Sequence, residues 1–299
     1  MRADPTYINS LTQSLNNAAN TANVLSGQLS SGLRVGSLSD DPTAAASSVR
    51  MGSEISRIDA FVQTASNETS MLQTTDSTLG EVVTQLTSAV TLAIGAANGT
   101  LNSANLQAIL QQATGIRDQI LTLANASYQG NYLFSGSQGT TQPFALDTST
   151  TPAGTIYSGD SKVQYIKTPG GQQIQMNLPG TAIFGSGASG PLATLNQFIA
   201  DLSSGAGSTT LAADANALRD ALSTVSTQRS VLNGSLSTLK STSNYASTQE
   251  AQLKASQSSL VAADPAAIAT ELKTNQTQYE AMLSVISSLN KTNLFDYLK

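Results

Sequence analysis

Apolar side chains recur in alternating steps of four and three residues at both ends of this chain, and no other feature restricts its fold as tightly. Near the N-terminus the stripe is Leu11, Leu15, Ala18, Ala22, Leu25 and Leu29. Near the C-terminus it is Ile268, Leu272, Asn275, Tyr279, Met282, Ile286 and Leu289. Such steps hold all members on one seam of an α-helix, the spacing of a knobs-into-holes contact. The charged flanks with which a free-standing coiled coil selects its partner are missing. Two bare seams at opposite ends of one chain predict that the termini meet.

Local stop and start signals divide the rest. Gly32 suits the left-handed position that ends a helix, and a short polar loop follows it. Asp41 before Pro42 is a start signal, because the aspartate accepts an orphan N–H and proline lacks one. A second helix is predicted over 43–97, its seam running through Ile58, Ala65, Leu72, Asp76, Leu79 and Leu86 until Asn98-Gly99 ends it. At about 1.5 Å per residue, some 50 residues would extend roughly 75–80 Å. A third helix is predicted over 103–126. Gly, Thr, Ser and Pro then become frequent, with strand-like runs at 162–167 and 172–178. Leu192, Leu195, Ile199 and Leu202 form a short amphipathic helix, and a long one follows over 211–260. Its seam is interrupted by Arg229, Glu250 and Gln257, and Asn233-Gly234 is a candidate bend. Asp264-Pro265 repeats the start signal.

The predicted fold is mainly α: a long antiparallel helical bundle or coiled-coil rod, both termini paired, with a small β-rich insertion at the far end. The domain boundaries expected are 1–42 with 264–299 for a terminal helical assembly domain, 43–130 with 205–263 for a helical rod, and 131–204 for the insertion.

Charge and chemistry exclude much. Only 11% of residues are charged and the formal net charge is −5. Lys and Arg stand scattered, so no basic stripe tracks phosphates and nucleic-acid binding is not expected. No run of apolar residues is long enough to predict membrane insertion. The first 30 or so residues lack the apolar core of a secretory signal, so any export would use another route. Histidine and cysteine are both absent, which removes the commonest general base, zinc ligands and thiol chemistry. Ser237-Thr238-Leu239-Lys240 fits an S-x-x-K pattern, but its companion motifs are missing. Asp40-Asp41 suits helix capping better than metal binding. The glycine-rich run at 185–190 lacks dinucleotide spacing and reads as a linker. No catalytic, cofactor or metal site is expected, and the chain does not read as an enzyme.

The seams themselves are the candidate site. Two helices held only by each other bury part of their apolar surface, while ordering costs about 1–2 kcal/mol per residue. Segments 1–40 and 264–299 are therefore expected to be largely disordered in the soluble monomer and to become helical when further copies pack on them. The candidate assembly residues are Leu11, Leu15, Leu25 and Leu29, and Ile268, Leu272, Tyr279, Met282, Ile286, Leu289, Leu294 and Phe295. Gly32, Gly36, Asp41 and Pro42 are the candidate hinge and cap.

Three stretches also carry a resemblance. LSSGLRVGSLSDDPTAAA at 29–46 resembles the segment after the first helix of the flagellin-like superfamily. GNYLFSG at 130–136 and YEAMLSVISSLNKTNLFDYLK at 279–299 resemble the hook–filament junction members, the FlgL-type hook-associated proteins. Pro42 after the paired aspartates and the ending at 294–298 resemble those members rather than flagellins, while Gly36 stands where the family usually has Asn. The resemblance implies a structural flagellar subunit joining hook to filament. It implies copies in a ring, a neighbouring hook-associated protein and flagellin as partners, and an export chaperone. It further implies passage through the flagellar type III apparatus to an extracellular place on the flagellum. The alternatives are a short flagellin that forms the filament itself, or a type III-secreted helical translocator or tip protein.

Overall fold

The computed structural model describes residues 5–99 and 102–295, with side chains described from Thr6 as far as Ser288. Among the described residues the order is α1 (Pro5–Ser31), α2 (Pro42–Ala96), α3 (Ser103–Ala124), β1 (Ser127–Tyr128), β2 (Asn131–Tyr132), β3 (Phe144–Asp147) and β4 (Gly154–Tyr157). There follow β5 (Tyr165–Lys167), β6 (Gln173–Gln175), α4 (Gly180–Phe184), α5 (Pro191–Ser204), α6 (Ser208–Val261) and α7 (Pro265–Phe295). The mainly α class, the paired termini and the small β-containing insertion are as predicted.

Helix ends follow the local chemistry. The Asp41 carboxylate accepts the Ala44 N–H at 3.0 Å, and Asp264 accepts those of Ala266 and Ala267 at 2.9 and 3.2 Å. Asn102 caps α3 by accepting from Asn105 N at 2.8 Å. Each cap replaces water at one of the amides a helix leaves unpaired.

The chain forms two compact units, Met1–Arg57 with Gln249–Lys299, and Ile58–Thr248, so the division falls inside α2 and α6. In the first, α1 and α7 lie against each other, and Gln257 of α6 donates to the Ser48 carbonyl of α2 at 2.8 Å. The second shows a seven-residue period in burial. Ile58, Ala65, Leu72, Leu79, Leu86 and Ala93 of α2 are all fully buried, and Leu211, Leu218, Val225, Leu232, Leu239 and Ala246 of α6 are nearly so. The half-buried seam positions between them hold the polar residues. There Arg229 meets Asp76 through Nε at 2.7 Å and Nη2 at 3.2 Å, and Asn233 adds a third bond at 2.9 Å. Two interruptions of separate seams thus satisfy each other. α6 continues as one helix through the candidate bend at Asn233-Gly234.

α2 also has the length and apolar content of a membrane span, with a window of mean hydropathy 1.3. Its Leu79, Val82, Leu86 and Ala89 are fully buried against protein, which makes it a core helix.

The insertion contains three separate two-stranded antiparallel ladders, β1-β2, β3-β4 and β5-β6. The same segment buries Phe134, Phe144, Phe184 and Phe198, all essentially inaccessible. Phe184 meets the rings of Phe134 and Phe144 edge-on, with centroids 5.2 and 5.3 Å apart, the orientation that aromatic quadrupoles favour. The glycine-rich run is no slack linker. A Cβ on Gly185 or Gly190 would sit 2.2 or 2.0 Å from backbone carbonyl oxygen, so glycine is what lets this turn close. Gly187 exchanges both backbone hydrogen bonds with Thr155 at 2.9 and 3.3 Å, which fastens the turn to β4.

Candidate assembly surface at the paired termini

α1 carries no charged residue in 27 positions. Several of its hydroxyls are turned inward on the helix: Thr12, Ser14 and Thr21 each donate to the carbonyl four residues back, at 2.9, 3.0 and 2.9 Å. Thr270, Thr274 and Thr277 do the same on α7, at 2.9, 3.0 and 3.0 Å. A hydroxyl already bonded to its own helix loses less when water is removed than one that depends on water. These faces are cheap to cover.

The seams meet, but unevenly. Ala18, Leu25 and Ile268 are buried at 9, 5 and 7% exposure. Leu11, Leu15, Ala22, Leu272, Asn275, Tyr279, Met282 and Ile286 are only half-buried. Asn275 Oδ1 is inaccessible and without a hydrogen-bond partner among the described residues. Leu29 departs from the seam, with 42% of its surface exposed, beside Val24 at 57% and, on α7, Leu283 and Val285 at 43 and 41%. The side chains of Leu289, Leu294 and Phe295 lie outside the described residues.

Where α1 ends, the two linkers are tied together. Gly32 has φ +70° and its N–H reaches Gln28 O at 2.9 Å. Its carbonyl accepts from Ala263 N at 2.9 Å, while Arg34 N and Val35 N both donate to Val261 O, at 2.8 and 3.4 Å. Leu33 and Ala262 form an antiparallel bridge. The Arg34 guanidinium spans the joint, donating to Leu260 O at 3.1 Å and to Asp41 at 3.3 Å. The predicted hinge is therefore a braced joint.

Within it Asp40 and Asp41 divide the work. Asp41 caps α2, as expected. Asp40 accepts the amides of Gly36 and Ser37 at 2.9 and 2.7 Å and shapes the loop. Hydrogen bonds from Ser37 chiefly hold the Asp40 carboxyl below its usual range, and the Ala44 amide does the same for Asp41. Both are ionised structural acceptors. At Gly36 φ is not positive, and a Cβ there would meet Asp40 at an ordinary 3.7 Å. Pro42 is the first residue of α2. Arg34 escaped sequence reasoning because its partner at Leu260 is 226 residues away.

Comparison with known proteins follows this anatomy. The bacterial flagellin N-terminal helical region matches residues 6–139, and the bacterial flagellin C-terminal helical region matches residues 215–298. The chain belongs to the bacterial flagellin family. The first matched region begins in α1 and the second takes in all of α7, and the gap between them holds most of the insertion. Among relatives, flagellar hook-associated protein 3 of Escherichia coli K12 is 32% identical over 119 residues, 40% of this chain and 38% of that protein. Flagellin B of Vibrio anguillarum is 32% identical over 126 residues, 42% of this chain and 34% of that protein. The alignments thus span well under half of either relative's length. Among solved structures, a flagellar hook-associated protein from Vibrio parahaemolyticus shares the fold at TM-score 0.65 and 23% identity, covering 75% of this chain and all (100%) of that one. The flagellar junction protein FlgL from Legionella pneumophila does so at TM-score 0.60 and 16% identity, covering 73% of this chain and 100% of that one.

Proposed function

We propose that this flagellin-family chain is a structural subunit joining the flagellar hook to the filament, and that it assembles through α1 and α7. The observation that carries this reading is the state of the terminal pair: an uncharged helix, several of whose hydroxyls bond to its own backbone, with most of its seam half-covered in one copy. Neighbouring copies would complete that burial, at roughly 25 cal/mol per Å² of apolar surface covered. The candidate residues from Leu11 to Leu29 and from Ile268 to Phe295 are the contacts, and the joint at Gly32, Arg34 and Asp41 sets how the terminal pair leaves the rest of its subunit. The partners are copies of itself in a ring, a second hook-associated protein and flagellin, with a chaperone during export through the flagellar type III apparatus to the cell exterior. Covalent chemistry has no part in this role.

The fold shared with junction proteins, together with the sequence match to hook-associated protein 3, supports the junction reading. The equal identity to flagellin B supports a second one, a short flagellin. Purified chain incubated alone and with flagellin separates them. A junction subunit stops at short complexes and adds to hook ends, whereas long homopolymeric filaments would overturn the junction reading.

A further inference from the structure

Asn-Gly occurs twice in the chain, at Asn98-Gly99 just after α2 and at Asn233-Gly234 inside α6. This dipeptide can react with itself. The backbone nitrogen of the glycine attacks Cγ of the asparagine, an N–Cγ bond forms, and Nδ2 leaves as ammonia. Water then opens the five-membered imide at either carbonyl and leaves aspartate or isoaspartate, so the net change is amide plus water to acid plus ammonia. Glycine favours the attack because no Cβ crowds its nitrogen. The reaction needs a glycine N–H without an acceptor, a side-chain amide free to turn over it, and a backbone outside the α-helical ladder. Exposure does not separate the two sites, since both asparagines are exposed.

Their hydrogen bonds do separate them. α2 ends at Ala96, and Asn98 follows in a turn with its own N–H on Gly95 O at 3.3 Å. Gly99 has φ +66°, and neither its N–H nor the Asn98 side chain makes a hydrogen bond among the described residues. At the other site Asn233 Nδ2, the nitrogen that would have to leave, donates to Asp76 Oδ1 at 2.9 Å. Gly234 lies in the middle of α6, where its N–H belongs to the helix ladder, and its carbonyl also accepts from Thr238 Oγ1 at 2.9 Å. We propose that Asn98-Gly99 is a site of spontaneous deamidation in the folded chain, whereas α6 and Asp76 hold Asn233-Gly234 intact. The modified turn gains a negative charge, and in the isoaspartate form an extra backbone methylene, in the connection from α2 to α3. Asn233 reacts only through an opening of α6 that also breaks its bond to Asp76.

Incubating the purified full chain in heavy-oxygen water, folded and in guanidinium chloride, and reading the label by fragmentation mass spectrometry tests this. Unfolded, both sites should take up label at similar rates, because the dipeptide is the same. On folding, Asn98 should stay within about threefold of its unfolded rate while Asn233 slows by roughly tenfold or more, the measure of how rarely α6 opens. Alkaline buffer should quicken the reaction at Asn98, since the attacking nitrogen must lose its proton; a rate indifferent to pH would rule out the imide route and with it the proposal. Asn98→Gln, which would have to close a six-membered ring, should remove the label at that position, with circular dichroism showing that the variant folds. Folding that slows Asn98 as much as Asn233, or a folded chain in which Asn98 takes up no label, overturns the proposal.

Discussion

Replacing Gly32 isolates the contribution of the joint, because nothing but backbone opposes the change. A Cβ at Gly32 would meet no atom within 4 Å, yet the residue sits at φ +70°. An L-residue held there costs about 1–2 kcal/mol, and a β-branched one lies at the upper end or beyond. Gly36 is the internal control, with ordinary φ and an ordinary Cβ contact at 3.7 Å, where alanine is expected to be neutral or stabilising by about 0.4–1 kcal/mol. In Gly32→Val the cost is relieved if the residue leaves the left-handed region, which breaks the bond between its carbonyl and Ala263 N at 2.9 Å. A loss of 1–2 kcal/mol is roughly a 5- to 30-fold rise in local opening. Hydrogen exchange on the purified chain should therefore quicken by that factor at the Ala263 and Arg34 amides and stay unchanged at Ile58. In cells, Gly32→Val should be exported while filaments detach at lower shear, and Gly36→Ala should match the parent. Unchanged exchange at Ala263 together with parental shear resistance would refute the reasoning and leave Gly32 a replaceable helix terminator.

Further outcomes are expected. Leu25→Ala should destabilise the terminal pair by about 2 kcal/mol, seen as earlier thermal loss of helix, whereas Leu29→Asp should change the isolated chain by less than about 0.5 kcal/mol and still block incorporation and swimming; normal motility of Leu29→Asp would remove that face from the assembly surface. Amide exchange along α1 and α7 in dilute monomer should be fast beside the buried heptads of α2, and strong protection at Ile286 would count against partner-dependent ordering. Arg229→Ala should cost about 1–2 kcal/mol in denaturant unfolding, after allowance for its partly exposed guanidinium. The hydrogen bond from Arg229 chiefly lowers the Asp76 carboxyl, so its stabilisation is present above the ordinary aspartate range and lost as pH falls through the folded value; Asp76→Asn should flatten that acid limb. Asp214 has the opposite sign, since its folded value is raised to about 6: its contribution is full below the ordinary aspartate value and disappears as pH rises to about 6. Asp214→Asn should abolish this slope and stabilise the chain at neutral pH by on the order of 1–3 kcal/mol, and an unchanged pH profile would exclude Asp214 as its source.

The local grammar of this chain marked out its long helices, though not the short α4 (Gly180–Phe184). Asp41-Pro42, Asp264-Pro265 and Gly32 act within one turn of backbone, and the seven-residue recurrence from Ile58 to Ala93 is a property of a single helix. Periodicity says which face is covered, however, and not by what. The pairing of Asp76 with Arg229 joins positions 153 apart, and the brace from Arg34 to Leu260 spans 226; each interruption read singly is only a flaw in a stripe. The insertion was legible as β-rich, but its three independent ladders and its phenylalanine core depend on which strand finds which, and short strands of two to four residues carry almost no register signal of their own. Leu29 shows the limit most directly. Its heptad position is faultless, and 42% of its surface is nonetheless exposed. Burial belongs to the pair of helices, and a seam belongs to one.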